Sequence, residues 1–245
     1  MHLIHLTLFS LFFIYIDGKR RCLTNCTVTG LIGQPLHIPD RCDQYTKASD
    51  CQVDIQFHYY DRRYTVIFST AFVEYYYRSL YITITNILSY TAMFACGNSD
   101  NCATDFARKK VVDLSNRTIN ARNVINQLRP LLSEHRQSPL RCYDNEECTG
   151  ICKIRVKTDK NQLDQRKCAA INQPQVHVFD GGDLPILDIE CNRTKCNSFE
   201  TADQVKQILY QNNLTDINGR INRGQKNSVS ILLLLFFINF FIQLI

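Results

Sequence analysis

Cys51-Gln-Val-Asp-Ile-Gln-Phe-His-Tyr59 alternates apolar and polar side chains without a break. Val53, Ile55, Phe57 and Tyr59 fall on one side of an extended chain, and Asp54, Gln56 and His58 on the other. A period of two is that of a half-buried β-strand. Arg62-Arg63 breaks the run, and Tyr64, Val66 and Phe68 resume it. Tyr81-Ile-Thr-Ile-Thr85 and the stretch from Tyr90 to Phe94 add two more β-rich runs. The block from Cys51 to Cys96 is therefore expected to hold the main core. Within it stands Tyr75-Tyr76-Tyr77. Of three consecutive strand residues, at least one must face away from its neighbours. A tyrosine patch at the surface suits protein or glycan binding, although most rings of this block are expected to fill the core.

Outward from this block the character changes. Residues 104–135 read as one or two helices, with Thr104 as a candidate cap. Val112, Ile119, Ile125, Leu128 and Leu132 form an apolar face, and Pro130 ends or kinks the second helix. Arg122, Arg129 and Arg136 recur every seven residues, a stripe on an ideal helix that is read first as a solvated face. Residues 163–182 are expected to be loop-rich, with a turn at Asp180-Gly181-Gly182-Asp183. Its aspartates lack the spacing of an EF-hand calcium loop. A last helix follows Thr201-x-x-Gln204, read as a capping box, with Val205, Ile208 and Leu209 on one face. The expected fold class is α+β: disulfide-rich β modules, each followed by a helix, with duplication as an open alternative.

The chain has twelve cysteines: Cys22, Cys26, Cys42, Cys51, Cys96, Cys102, Cys142, Cys148, Cys152, Cys168, Cys191 and Cys196. An even count in a secreted chain reads as disulfides rather than thiols or zinc ligands, and no C-x2-C pair is present. Cys22-x3-Cys26-x15-Cys42 recurs as Cys148-x3-Cys152-x15-Cys168. Each set is followed by a close pair, Cys96-x5-Cys102 and then Cys191-x4-Cys196. The resulting division is a signal peptide over 1–18, a cysteine-rich β module over 19–103 and a helical connector over 104–141. A second cysteine-rich module over 142–197, a helix and stalk over 198–218, and a tail over 219–245 complete it.

Cys191-Asn192-Arg193-Thr194-Lys195-Cys196-Asn197 resembles the C-x4-C-N ending of three-finger domains, the snake-toxin and urokinase-receptor-like family. The resemblance covers residues 142–197. It implies a binding ectodomain whose loops spring from a disulfide hub, in a family often attached to glycolipid, and it names no ligand. The sequence departs from the pattern in three places. No adjacent Cys-Cys precedes either closing pair, Ala103 and not Asn follows Cys102, and the stretch from Cys51 to Cys96 is long for a finger.

Both ends speak of the secretory route. Leu3 to Ile16 is uncharged and too short to span a bilayer, the length of a signal-peptide core, and Gly18 offers a cleavage point before Lys19. Val229 to Ile245 carries no charged side chain. A polar, basic stretch precedes it, and Asn218 or Gly219 precedes that. Small residue, polar spacer and apolar tail make the order of a glycolipid (GPI) attachment signal, with a retained membrane helix as the alternative. Asn25, Asn116, Asn192 and Asn213 head N-x-S/T glycosylation acceptors. The expected address is the extracellular face of the plasma membrane.

The whole chain carries a net charge of +5, and removal of both ends leaves it mildly basic, no argument for nucleic acid. His37, His58, His135 and His177 are scattered, and no H-E-x-x-H, G-x-S-x-G or P-loop motif occurs. No catalytic, cofactor or metal residue is assigned. The expected function is a non-catalytic binding or adhesion ectodomain for an extracellular protein or glycan, tethered to the membrane by its C-terminal anchor. The alternative is a secreted hydrolase or hydrolase inhibitor.

Overall fold

A computed structural model of the chain describes residues 19–134, 139–143, 145–158, 162–170, 173–181 and 185–222. The signal peptide, residues 223–245 of the tail, His135, Arg136, Gly182 and Asp183 lie outside the described residues. The alternation that begins at Cys51 becomes β4 (Asp50–His58), and β5 (Arg63–Ala71), β6 (Tyr75–Thr83) and β7 (Ile87–Cys96) follow it. Two of the turns between them use left-handed residues, Arg62 at φ 54° and Asn86 at φ 91°. Before these strands lie β1 (Arg20–Leu23), β2 (Cys26–Leu31) and β3 (Tyr45–Ala48). After them come α1 (Cys102–Ser115), α2 (Ala121–Leu132), β8 (Leu140–Cys142), β9 (Asn145–Cys148) and β10 (Ile151–Lys157). Then β11 (Gln162–Ala169), β12 (Gln175–Asp180), β13 (Ile186–Cys191) and α3 (Phe199–Gln211) close the described fold.

Nine strands join in one antiparallel sheet, in the order β11-β10-β13-β12-β6-β7-β4-β5-β2. The small pairs β1-β3 and β8-β9 stand apart from it. Outward from the β6-β12 joint the order is β6-β7-β4-β5 on one side, with β2 added at its outer edge, and β12-β13-β10-β11 on the other. Each side is thus two hairpins arranged alike, and each is followed in sequence by a helix, α1 or α3. The two cysteine-rich stretches share a sheet that runs unbroken through the joint, where Leu80 faces Val178 and Ile82 faces Val176.

All twelve cysteines are paired. The bonds are Cys22–Cys51, Cys26–Cys42, Cys96–Cys102, Cys142–Cys152, Cys148–Cys168 and Cys191–Cys196. No bridge joins the first six cysteines to the last six. The 3–15 spacing does not describe the bonding, because Cys26 bonds Cys42 while its spacing counterpart Cys152 bonds Cys142 and not Cys168. The counterparts set by sheet position are different: Cys51 faces Cys96 in register, and Cys152 faces Cys191.

The apolar parity of every central strand points one way. Val53, Ile55, Phe57, Val66, Phe68, Leu80, Ile82, Leu88, Tyr90, Ile154, Val156, Val176, Val178, Leu187 and Ile189 are buried. They form one cluster with Ala107, Val111 and Leu114 of α1, Val124, Ile125, Leu128 and Leu132 of α2, and Ala202, Val205 and Leu209 of α3. Three helices therefore cover one face of the sheet. Val112 lies outside the expected helical face, 49% exposed. The helix starts also differ from expectation. α1 begins at Cys102, whose bond to Cys96 ties its first turn, so Thr104 lies inside the helix. α3 is capped by Ser198, whose side chain accepts from the Thr201 amide at 3.0 Å, three residues before the expected cap. Residues 163–182 hold β11 and β12 where loop was expected.

Candidate binding face

The same alternation that buries one parity leaves the other on the face away from the helices. On β6 this parity is Tyr75, Tyr77, Ser79 and Tyr81, while Tyr76 turns to the helical side and meets Phe94 and Phe106. Opposite them across the joint stand Gln175, His177 and Phe179 of β12. Tyr77 packs on Phe179 at 4.6 Å between ring centroids. His177 lies edge-on to both Tyr81 and Phe179, at 6.1 Å each. Gly181 follows because a Cβ there would lie 2.6 Å from the Tyr77 ring. Four rings thus share the centre of the open face, where the two halves of the sheet meet.

From this cluster a chain of hydrogen bonds crosses four strands. Tyr81 donates to Gln175 Oε1 at 2.6 Å, and Gln175 Nε2 donates to Glu190 Oε2 at 2.7 Å. Lys153 Nζ bridges Glu190 Oε1 at 2.9 Å and Asp188 Oδ2 at 3.5 Å. Arg155 then grips both oxygens of Asp188, at 2.6 and 2.7 Å. A bidentate pair of this kind fixes both side chains. Burial alone would raise the Asp188 carboxyl, but the Arg155 hydrogen bonds and the Lys153 and Arg155 charges hold it below its ordinary value. His177 is pushed below its ordinary value, chiefly by burial; Lys153 and Arg155 add to this, and Asp188 and Glu190 oppose it. At neutral pH the imidazole is uncharged, which suits a ring packed among rings.

The four glycosylation acceptors lie off this face. Asn25 occupies the turn between β1 and β2, and Asn116 caps the end of α1. Asn192 follows β13, and Asn213 follows α3. Asn25, Asn116 and Asn213 are exposed, and Asn192 is half-buried.

Among the described residues, two clefts open elsewhere. One of about 550 Å³ lies beside the α1–α2 loop and is lined by Tyr59, Tyr60, Arg62, Arg117 and Arg122. The other, of about 480 Å³, is lined by His58, Asp61, Arg63 and Tyr64. His37, His58 and His177 are not brought together in either. Among the described residues no three His, Cys, Asp or Glu side chains converge as a metal site would require. Asp180, of the suspected turn, is 4% exposed and paired with Arg78 at 2.5 Å. Of the arginine stripe, Arg122 and Arg129 lie on α2, where Arg129 bonds the Ile84 carbonyl. Asn197, the last residue of the C-x4-C-N ending, is fully buried and works locally. Its Oδ1 accepts from the Tyr143 amide at 2.8 Å, and its Nδ2 donates to the Tyr143 carbonyl at 3.1 Å.

No family model, curated protein or solved structure matches this chain. Six disulfides in an antiparallel β protein are consistent with an extracellular domain.

Proposed function

We propose that the chain is a non-catalytic binding or adhesion ectodomain, delivered by its N-terminal signal and tethered to the outer face of the plasma membrane through its C-terminal segment. It meets an extracellular protein or glycan with the open face of the nine-stranded sheet. One observation carries this reading: the uncovered face holds a fixed aromatic and polar platform, and every glycosylation acceptor lies elsewhere. Aromatic rings beside oriented hydrogen-bonding groups bury area at small entropic cost. Acceptors confined to the helical side and the rim keep bulky glycans off the platform. The three-finger resemblance supports the idea of a disulfide hub, with Asn197 holding the neighbouring segment. The like arrangement of hairpins in the two halves supports origin by duplication, with Cys51 matched to Cys152 and Cys96 to Cys191.

A glycan wedge tests the platform. Thr91→Asn with Met93→Thr creates an acceptor on the open parity of β7, while Asn116→Gln removes a native glycan on the helical side. Adhesion of cells displaying the full chain to cells and matrix of the same source is expected to fall at least tenfold with the wedge. The control is expected to adhere as the parent does. Undiminished adhesion of a wedge variant that carries its glycan would remove the sheet face from consideration.

A further inference from the structure

Beyond α3 the chain does not leave the domain. Leu214 and Thr215 turn inward and are 2% and 1% exposed. Asp216 then builds a tight turn: its Oδ1 accepts from the amides of Asn218 and Arg220, both at 2.9 Å, and its carbonyl accepts from Gly219 at 3.0 Å. Gly219 sits at φ +76°, where an L side chain is strained, and a Cβ there would lie 2.6 Å from Thr158 Oγ1. Ile221 comes next and is 1% exposed. Its amide donates to Asp180 Oδ2 at 3.1 Å, and its carbonyl accepts from Arg78 Nη1 at 2.6 Å. Asn222 donates its amide to the Leu214 carbonyl at 3.2 Å and takes Arg117 Nη2 on its own carbonyl at 2.8 Å. The segment is thus a clasp over the β6-β12 joint, seated on the buried Arg78–Asp180 ion pair that spans it.

We infer that the junction between domain and membrane anchor lies C-terminal to Asn222, and that Asn218 and Gly219 belong to the clasp rather than to a lipid attachment site. The inference rests on the tethered reading of the C-terminal segment. Glycolipid attachment is an amide exchange. The ethanolamine amine attacks the carbonyl of the attachment residue, and the tail departs with a free amino terminus. Exchange at Gly219 would discard Ile221 and Asn222. Arg78 would lose an acceptor, Asp180 a donor, and the apolar seat of Ile221 would open to water. It would also demand access to a carbonyl in a turn packed against Thr158. A junction beyond Asn222 spares all of this, whether the anchor is lipid or a retained apolar helix.

The test uses the full chain made in a secretory host. Cleavage before aspartate yields a C-terminal peptide that starts at Asp216, and its mass reads the junction. The expected peptide contains Ile221-Asn222. A peptide ending at Asn218 or Gly219 and bearing ethanolamine-phosphate would overturn the inference. A second measurement is independent of peptide recovery. Ile221→Asp is expected to lower surface display at least tenfold, whereas Ile217→Asp, at a position 69% exposed, is expected to leave it unchanged. Normal display and an unchanged melting temperature for Ile221→Asp would mean that the residue is discarded. Failure of the tethered reading looks different: the untreated protein would partition into the aqueous phase of a detergent separation while still yielding the Ile221-Asn222 peptide.

Discussion

Arg78 and Asp180 face each other across the β6-β12 joint, on the helix-covered side, with 2% and 4% of their surfaces exposed. Arg78→Met leaves a buried carboxylate whose remaining partners are the Ile221 amide and Arg220, 3.6 Å away. Breaking a buried pair from one side costs about 3–5 kcal/mol, because a charge is left uncompensated. Asp180→Asn leaves the guanidinium in the same position. The double variant Arg78→Met/Asp180→Asn holds no charge at either position. Its main loss is the partner of the Ile221 carbonyl, about 1–3 kcal/mol. The second substitution should therefore rescue the first. For a domain of this size each kcal/mol moves the melting temperature by about 2–4 °C. Arg78→Met is expected to melt roughly 6–20 °C below the parent, and the double variant a few degrees above Arg78→Met. The assay is thermal unfolding of the full chain in mild detergent with its disulfides intact. Near-UV circular dichroism of the tyrosines is a suitable signal, since the chain has 12 Tyr and no Trp. If Asp180→Asn lowered stability further in the Arg78→Met background, the buried-charge reasoning would be refuted.

Three further outcomes are expected. Because burial depresses the folded pKa of His177, the unfolded chain takes up a proton that the folded chain resists, so stability falls as pH drops below about 6.5. Asp188 works in a lower window: its depressed folded pKa adds stability above about pH 4 that is lost on further acidification. Melting temperatures from pH 4 to 8 should show the first slope in the parent and a flatter curve in His177→Gln; identical curves would exclude the imidazole as its source. Asn197→Ala strips partners from both backbone groups of Tyr143 and should cost about 2–3 kcal/mol, read in the same melts, with a change under 0.5 kcal/mol counting against the role given to that side chain. Disulfide mapping by mass spectrometry should find no bridge between the cysteines of 22–102 and those of 142–196, and several such bridges would defeat the duplication reading.

The strands β4 and β5 were legible because each of them is amphipathic, whereas β1, β2 and β3 were not read. Val53 to Tyr59 and Tyr64 to Phe68 show the period of two that a sheet covered on one face imposes. The second half hid its strands for two reasons. Gln162–Ala169 forms β11, an edge strand dominated by polar side chains, where burial imposes no pattern that could be read. Val176-His177-Val178 does alternate, but it is short, and Gly181-Gly182 after it signalled a turn strongly enough to colour the whole stretch. The open face of the sheet was half visible. The tyrosine triplet pointed to a ring at the surface, and Tyr75 and Tyr77 are found on the open parity. Their partners could not be foreseen, because His177 and Phe179 join Tyr77 and Tyr81 only through the β6-β12 pairing, about a hundred residues away in sequence. No local pattern encodes which strands meet. The C-terminal clasp was hidden for a similar reason. Asn218-Gly219 reads as a small-residue attachment site because both are small, and nothing local shows that a Cβ on Gly219 would meet Thr158.

The cysteines show how position in the sheet outranks spacing. Cys51 and Cys152 occupy matching places on β4 and β10, and each bonds to a cysteine of a two-stranded sheet, Cys22 of β1 or Cys142 of β8. Two-stranded sheets are at best marginally stable by themselves, so each small pair depends on its rivet. The remaining bonds differ because the small pairs are built differently: Cys26–Cys42 closes the loop between β2 and β3, while Cys148–Cys168 fastens β9 to the edge strand β11. Removing Cys142–Cys152 with a pair of alanines therefore has a local expectation. The bond spans 10 residues in sequence, and opening a loop of that length returns roughly 2.7 kcal/mol of chain entropy to the unfolded state. β8 and β9 should lose amide protection in hydrogen exchange, while β4, β7 and α1, fastened by their own disulfides, should keep theirs. Equal loss in both halves would mean that the small sheet supports the whole domain through the joint, and that the rivets are not local.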